Sequence, residues 1–174
     1  MIQIALADVS GKEVYDLGCG TGILAIGAAL CGAKRVVGVE ADAAALDVAR
    51  KNLEGFRPRL AIEFVHSRVE DFDGGRLDTV LQNPPYGAQK KHADRPFLEK
   101  AVELAGKSVY SLHLAETRMF IKEFVRALPG GWKDDVVGTF DYPLSRTFKF
   151  HSKPKVNISV DLHRITRKEV SLRP

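Results

Sequence analysis

"YDLGCGTG", residues 15–22, places an acid and three glycines directly behind a short apolar run. The run, "KEVYDL" (12–17), reads as a β-strand, and "ILAIGAALCGA" (23–33) reads as a helix small and apolar enough to pack on a sheet. Glycines between them allow positive φ and close approach of backbone to a ligand. The helix start offers N–H groups with no partner inside the helix. Strand, glycine turn and helix in this order suit a nucleotide-like cofactor. The spacing is Gly18-x-Gly20-x-Gly22, with Asp16 ahead of it. A dinucleotide fingerprint needs its third glycine at position 23, where Ile23 stands, so a Rossmann oxidoreductase is the weakest reading. A P-loop is excluded because its lysine is missing.

Working outward, strands and helices alternate. "RVVGVE" (35–40) is a second strand, and "DAAALDVARKNL" (42–53) a helix with Asp42 as N-cap and Gly55 as stop. "LAIEFVH" (60–66) and "LDTVLQ" (77–82) are the third and fourth strands. "DRPFLEKAVELAG" (94–106) is a helix, "SVYSLH" (108–113) a fifth strand, and "AETRMFIKEFVRAL" (115–128) a helix ended by Pro129-Gly130-Gly131. "DVVGTFDYPL" and "VNISVDLHRI" alternate with period two, as an antiparallel pair does. This order implies parallel βαβ units in a doubly wound α/β sheet with an antiparallel end. Ligands on such sheets lie outside the carboxyl ends of the strands, at the switch point. Asp16–Gly22, Glu40–Asp42, Ser67–Asp71, Gln82–Tyr86 and His113 fall on that edge. Glu40, closing the second strand, is placed to accept hydrogen bonds from both hydroxyls of a ribose.

The 174 residues suit one domain with one core. They show no internal repeat, low-complexity tract or long linker. No apolar stretch reaches the roughly 18 residues of a membrane span, and "MIQIALADVSGKEV" has neither the basic region nor the cleavage site of a secretory signal. Cys19 and Cys31 have no metal or disulfide spacing, which fits a reducing, cytoplasmic setting and no metal site. The net charge is +4, and from Pro143 onward eight Lys or Arg stand against two acids, Asp161 and Glu169. A basic end on a near-neutral body points to an anionic partner, nucleic acid first, or to a solvated tail.

"LQNPPYGAQKK" (81–91) carries the chemistry. By itself, Asn-Pro is a turn signal. Here it falls at the carboxyl end of the fourth strand, on the cofactor edge. An exocyclic amino group on a base is a poor nucleophile because its lone pair is delocalised into the ring. The Asn83 side-chain oxygen and the Pro84 carbonyl could accept its two N–H bonds and draw the nitrogen towards tetrahedral geometry. Pro84 and Pro85 make a stiff platform of preorganised dipoles. Tyr86 offers a face to a flipped-out base. Lys90 and Lys91 follow at phosphate-contact range.

Asp-Leu-Gly-Cys-Gly-Thr-Gly with an acid closing the next strand resembles the class I S-adenosylmethionine-dependent methyltransferases. The resemblance implies a Rossmann-like seven-stranded sheet, mostly parallel with an antiparallel C-terminal end. It places Asp16 near the amino group of the cofactor. Gly18, Cys19, Gly20, Thr21 and Gly22 lie along its methionine and ribose portions, Glu40 and Ala41 at the ribose, and Val69 and Asn83 complete the cofactor site. Asn-Pro-Pro-Tyr resembles the motif of enzymes that methylate adenine N6, cytosine N4, guanine N2 or a glutamine side-chain amide. It implies methyl transfer to a planar amine or amide, with S-adenosyl-L-homocysteine as product, and leaves the substrate open.

Nearly the whole chain is similar to small methyltransferase-like proteins of archaea and eukaryotes that form N6-methyladenosine in small-subunit ribosomal RNA. Residues 87–113 and 148–165 carry this likeness. It implies Asn83, Pro84, Pro85 and Tyr86 as the catalytic tetrad. His113 and Arg118 match the family's S-L-H…R segment, and Phe148, Lys149, Phe150 and His151 a basic-aromatic stretch; all six are expected at RNA. It also implies a small zinc-binding activator protein as partner. The sequence departs from the pattern in places. Position 86 is more often Phe, and Leu114 stands where the family has Lys. Arg68 stands where the family has an Asp that accepts from the cofactor adenine; Arg cannot accept, so either Glu70 or Asp71 substitutes or the cofactor is held more weakly. A lid segment with a Q-Y-x-T motif, which precedes the first strand in relatives, is not found ahead of residue 12, so residues 1–174 are expected to form a single methyltransferase domain lacking it. Two rivals are a glutamine-amide or other amino methyltransferase, and a non-catalytic RNA-binding protein on the same fold.

Overall fold

The computed structural model describes residues 2–56, 59–85, 94–144 and 156–167. The elements run α1 (Ile2–Val9), β1 (Glu13–Leu17), α2 (Ile23–Leu30), β2 (Arg35–Glu40), α3 (Ala43–Glu54), β3 (Ile62–His66), β4 (Leu77–Gln82), α4 (Arg95–Leu104) and β5 (Ala105–Leu114). A 3-10 turn (Ala115–Thr117), α5 (Arg118–Ala127), β6 (Trp132–Leu144) and β7 (Val156–Arg167) complete the order. The seven strands form one sheet in the order β3-β2-β1-β4-β5-β7-β6. Neighbours from β3 to β5 are parallel, and β5-β7 and β6-β7 are antiparallel. This is the expected α/β sheet, with its switch point between β1 and β4. No helix of the described residues is long and apolar enough to cross a membrane.

Alternation along each strand separates two cores. In β1, Tyr15 and Leu17 join Leu98, Leu104, Ile121, Val125 and Trp132 in the core under α4 and α5. Val14 turns to the other face and packs with Val9, Ala25, Ala28 and Val36. Asp16 shares that second face, and so meets α2. Asp42 caps α3 as expected, accepting from the Ala44 and Ala45 N–H groups.

Several boundaries differ from the sequence reading. Residues 2–9 form a helix that the sequence reading left unassigned, although Gly11, with φ 70°, stands just past its end. The helix at 115–128 opens with a 3-10 turn and is α-helical only from Arg118. The helix begun at 94 stops at Leu104, and Gly106 belongs to β5 rather than to the helix end. A Cβ on Gly106 would lie 2.9 Å from the Leu77 carbonyl oxygen, so glycine is what lets β5 close on β4 where their register shifts. Gly55 stands at the C-cap of α3 but with φ −71°, so it ends the helix without the left-handed turn expected of it.

Candidate functional site

In the β1–β4 ladder Leu17 pairs with Gln82, so Gly18 and Asn83 leave adjacent strands side by side at the switch point. The main chain of Gly18 and Cys19 is tied to β2, both N–H groups donating to the Val39 carbonyl (2.8 and 3.0 Å). Gly18 and Gly20 have φ of 68° and 52°, a region costly to other residues. At Gly18 the space is also taken: a Cβ there would meet the Phe97 ring at 2.8 Å. At Gly20 nothing lies within 4 Å of the same position, so its backbone is open to a ligand. Glu40 fastens the loop. Its Oε2 accepts from Gly20 N–H (2.9 Å), and its Oε1 from Ala41 and Asp42 N–H (2.8 and 2.9 Å). A carboxylate has about four acceptor sites, so roughly one is left for a ribose hydroxyl rather than the two expected.

Asp16 is 1% exposed. Its Oδ2 accepts from the Ala25 N–H at the start of α2 (2.8 Å), while Oδ1 is buried with no hydrogen-bond partner. Burial pushes this carboxyl up from 3.8 to about 7; the Ala25 N–H opposes the rise and the Glu40 charge adds to it. An unpaired, buried carboxylate oxygen beside an open glycine backbone is a receptor for a cation. Cys19 is buried as well, and desolvation, then the Asp16 and Glu40 charges, push its thiol up to about 12. It is inert packing in this loop. Thr21 is exposed, Ala41 is exposed with its N–H on Glu40, and Val69 is buried in the larger core.

Of the predicted acceptor platform, Asn83 and Pro85 are exposed and Pro84 is buried. Tyr86, Lys90, Lys91, Phe148, Lys149, Phe150 and His151 lie outside the described residues. The expected RNA contact of His113 is corrected, while Arg118 is paired within the protein and still partly exposed. His113 is 2% exposed and turned into the protein. Its Nε2 lies 2.6 Å from Ser111 Oγ and its Nδ1 3.5 Å from an Asp94 carboxylate oxygen. Arg118 is engaged by Asp161, donating from Nε (2.7 Å) and Nη2 (2.8 Å). The Arg68 guanidinium draws in both candidate substitutes, Glu70 at 3.3 Å and Asp71 at 3.7 Å.

The structure adds residues the sequence did not single out. The Gln82 amide donates to Ser111 Oγ (3.0 Å). A chain of consistent polarity follows: Ser111 O–H donates to His113 Nε2, and His113 Nδ1–H faces Asp94. Burial holds the His113 pKa below its usual value; the Asp94 contact opposes this and His163 adds to it. The chain links the end of β4, next to Asn83, to the start of α4, which carries Phe97 onto Gly18. Ser111-x-His113 was the available signal, since a spacing of two puts both side chains on one face of a strand. Phe97 had none, because its partner is a glycine almost eighty residues earlier in the chain.

Comparison with known proteins gives concordant likenesses. The methyltransferase small domain family matches residues 2–109. The rRNA N(6)-adenosine-methyltransferase Mettl5 of Drosophila melanogaster is 39% identical over 163 residues, 90% of this chain and 75% of that protein. An uncharacterised protein of Methanocaldococcus jannaschii is 36% identical over 178 aligned positions, 96% of this chain and 79% of that protein. The crystal structure of a candidate RNA methyltransferase from Pyrococcus horikoshii superposes with a TM-score of 0.82 at 42% identity, covering 95% of this chain and 79% of that one.

Proposed function

The chain belongs to the methyltransferase small domain family, and we propose that it methylates the N6 amino group of an adenine in small-subunit ribosomal RNA. It is an S-adenosyl-L-methionine-dependent N-methyltransferase. The residues present fit that cofactor: the unpartnered Asp16 oxygen suits its ammonium group, and the open Gly20 backbone leaves room beside it. When bound, the cofactor supplies a methyl group on a sulfonium centre. The observation that carries the proposal is the Leu17–Gln82 register, which sets Asn83 against the glycine loop.

On this reading the Asn83 side-chain oxygen and the Pro84 carbonyl accept the two N–H bonds of the adenine amino group. Burial of Pro84 fixes the platform, so the acceptors need not reorganise as charge develops on nitrogen. The platform aims the nitrogen at the cofactor side of the switch point, and alignment replaces any need for a base. The amino nitrogen held by Asn83 and Pro84 would take the methyl group that the bound cofactor supplies, and the proton it then sheds would pass to solvent. Tyr86 stacks the base, and Lys90, Lys91 and residues 148–151 complete the grip on RNA. The enzyme works in the cytoplasm on ribosomal RNA, assisted by a small activator protein.

The test is incubation with radiolabelled S-adenosylmethionine and small-subunit ribosomal RNA, followed by nucleoside mass spectrometry. N6-methyladenosine is expected from the native chain, and none above background from Asn83→Ala. Label on protein, or on another base, would overturn the assignment.

A further inference from the structure

Arg95 opens α4, one residue after Asp94 and two before Phe97, so it stands on the same rim as the catalytic motif. α5 leaves that rim too, after β5. Its Phe120 and Phe124 rings are stacked, 5.8 Å apart and 26° from parallel. The Arg95 guanidinium carbon lies 5.1 Å from the first ring centre and 5.6 Å from the second. Its Nε is withdrawn from water and has no hydrogen-bond partner. Among the described residues no acid reaches this guanidinium, whereas Arg68, Arg118 and Arg164 are each met by an Asp or Glu.

This is an unusual way to keep an arginine. Stacking a cation on aromatic rings stabilises, while leaving a buried N–H unpaired costs free energy of the same order. The two terms roughly cancel, so the fold gains little from the arrangement. What the arrangement does provide is a guanidinium held in one plane, its stem fixed and its charge uncompensated. That is the preparation for a planar, bidentate hold on an oxyanion. The Nε itself is covered, but Arg95 as a whole is only half-buried, so the outer part of its side chain is what can meet a ligand.

We infer that Arg95 binds the phosphodiester backbone of the RNA strand beside the target adenine. The assignment rests on the RNA reading above. A phosphate contact fixes register without reading sequence, leaving the base itself to Asn83 and Pro84. Arginine against aromatic rings at the mouth of a base-flipping site is also the combination that single-stranded RNA favours.

The experiment is a filter-binding titration of transcribed small-subunit ribosomal RNA across salt concentrations, with cofactor affinity measured by calorimetry on the same proteins. Arg95→Met keeps an apolar stem on the rings and removes the charge. It is expected to weaken RNA binding roughly tenfold and to reduce the slope of log K against log salt by about 0.7, the value of one single-strand phosphate contact. Cofactor affinity should stay at the native value. Arg95→Lys, which keeps charge but loses the fork, should retain the slope and bind several-fold more weakly; it decides the matter should the methionine variant fold poorly. An unchanged salt slope in Arg95→Met, or an equal loss of cofactor binding, would overturn the inference and leave Arg95 a packing residue. Native protein that shows no salt-dependent RNA binding sinks the RNA reading itself, and the inference with it.

Discussion

Replacing Asp16 with asparagine should make the cofactor-free protein less sensitive to alkali while weakening its hold on S-adenosylmethionine. The reason is the unpaired oxygen. Burial raises the Asp16 carboxyl from 3.8 to about 7, so between those values the folded chain keeps a proton that the unfolded chain has released. A raised carboxyl pKa means stability that is complete below the unfolded value and is lost as pH climbs through the folded one. From pH 5 to pH 7 the unfolded chain gains about 1.4 kcal/mol per pH unit relative to the folded one, a loss of about 3 kcal/mol in all. Above pH 7 the carboxylate ionises in place and the loss levels off.

Asparagine keeps an oxygen for the Ala25 N–H and cannot titrate. Urea unfolding of both proteins at pH 5 and pH 8 gives the answer as a difference of differences. His113 titrates in the opposite sense: its depressed pKa removes stability as pH falls from its ordinary value towards the lowered one. That contribution is common to both proteins and cancels. The native chain should lose about 3 kcal/mol more than Asp16→Asn over this interval. Calorimetry at pH 8 should show cofactor affinity at least tenfold weaker in the variant, about 1.4 kcal/mol, because the oxygen proposed to face the ammonium has become an amide. Equal pH dependence in the two proteins would refute the argument, since the carboxyl would then not be desolvated as its burial requires.

Two further outcomes follow from the same geometry. Gly18→Ala should lower stability by about 1–3 kcal/mol, combining a left-handed φ with the Phe97 contact. Thermal unfolding of Gly18→Ala/Phe97→Leu should recover the contact part and not the backbone part. Ser111→Ala and His113→Asn should each reduce kcat without a matching change in cofactor affinity, and the double variant should be no worse than the poorer single one. His163→Gln alters an equally buried histidine that touches His113 but not Gln82, and should affect melting temperature more than kcat.

The architecture was legible because it rests on local signals. Glycines that need positive φ, strand runs at period two and the Asp42 cap each act within a few residues, and they fixed β2 and β4 to the residue. The carboxyl-edge rule then placed Asp16, Glu40 and Asn83 together without any contact being known. What was illegible is what charge and polarity do at long range. His113 and Arg118 were expected at RNA because they match the family's S-L-H…R segment, a likeness that does not show where each side chain turns. Ser111 stood two residues before His113 and was legible from that spacing, whereas Asp161 reaches Arg118 only through the register of β7 on β5, which is not written in either strand singly. Arg95 shows the converse. The sequence reading did not single it out, and only the stacked rings of α5 reveal an arginine that no described acid meets. A paired arginine belongs to the framework, as Arg118 does, whereas an unpaired and immobilised one points outward to a ligand. On the inference drawn for Arg95, the start of α4 joins the proposed RNA contacts beside Asn83, and the salt slope of the Arg95→Met variant is the measurement that decides it.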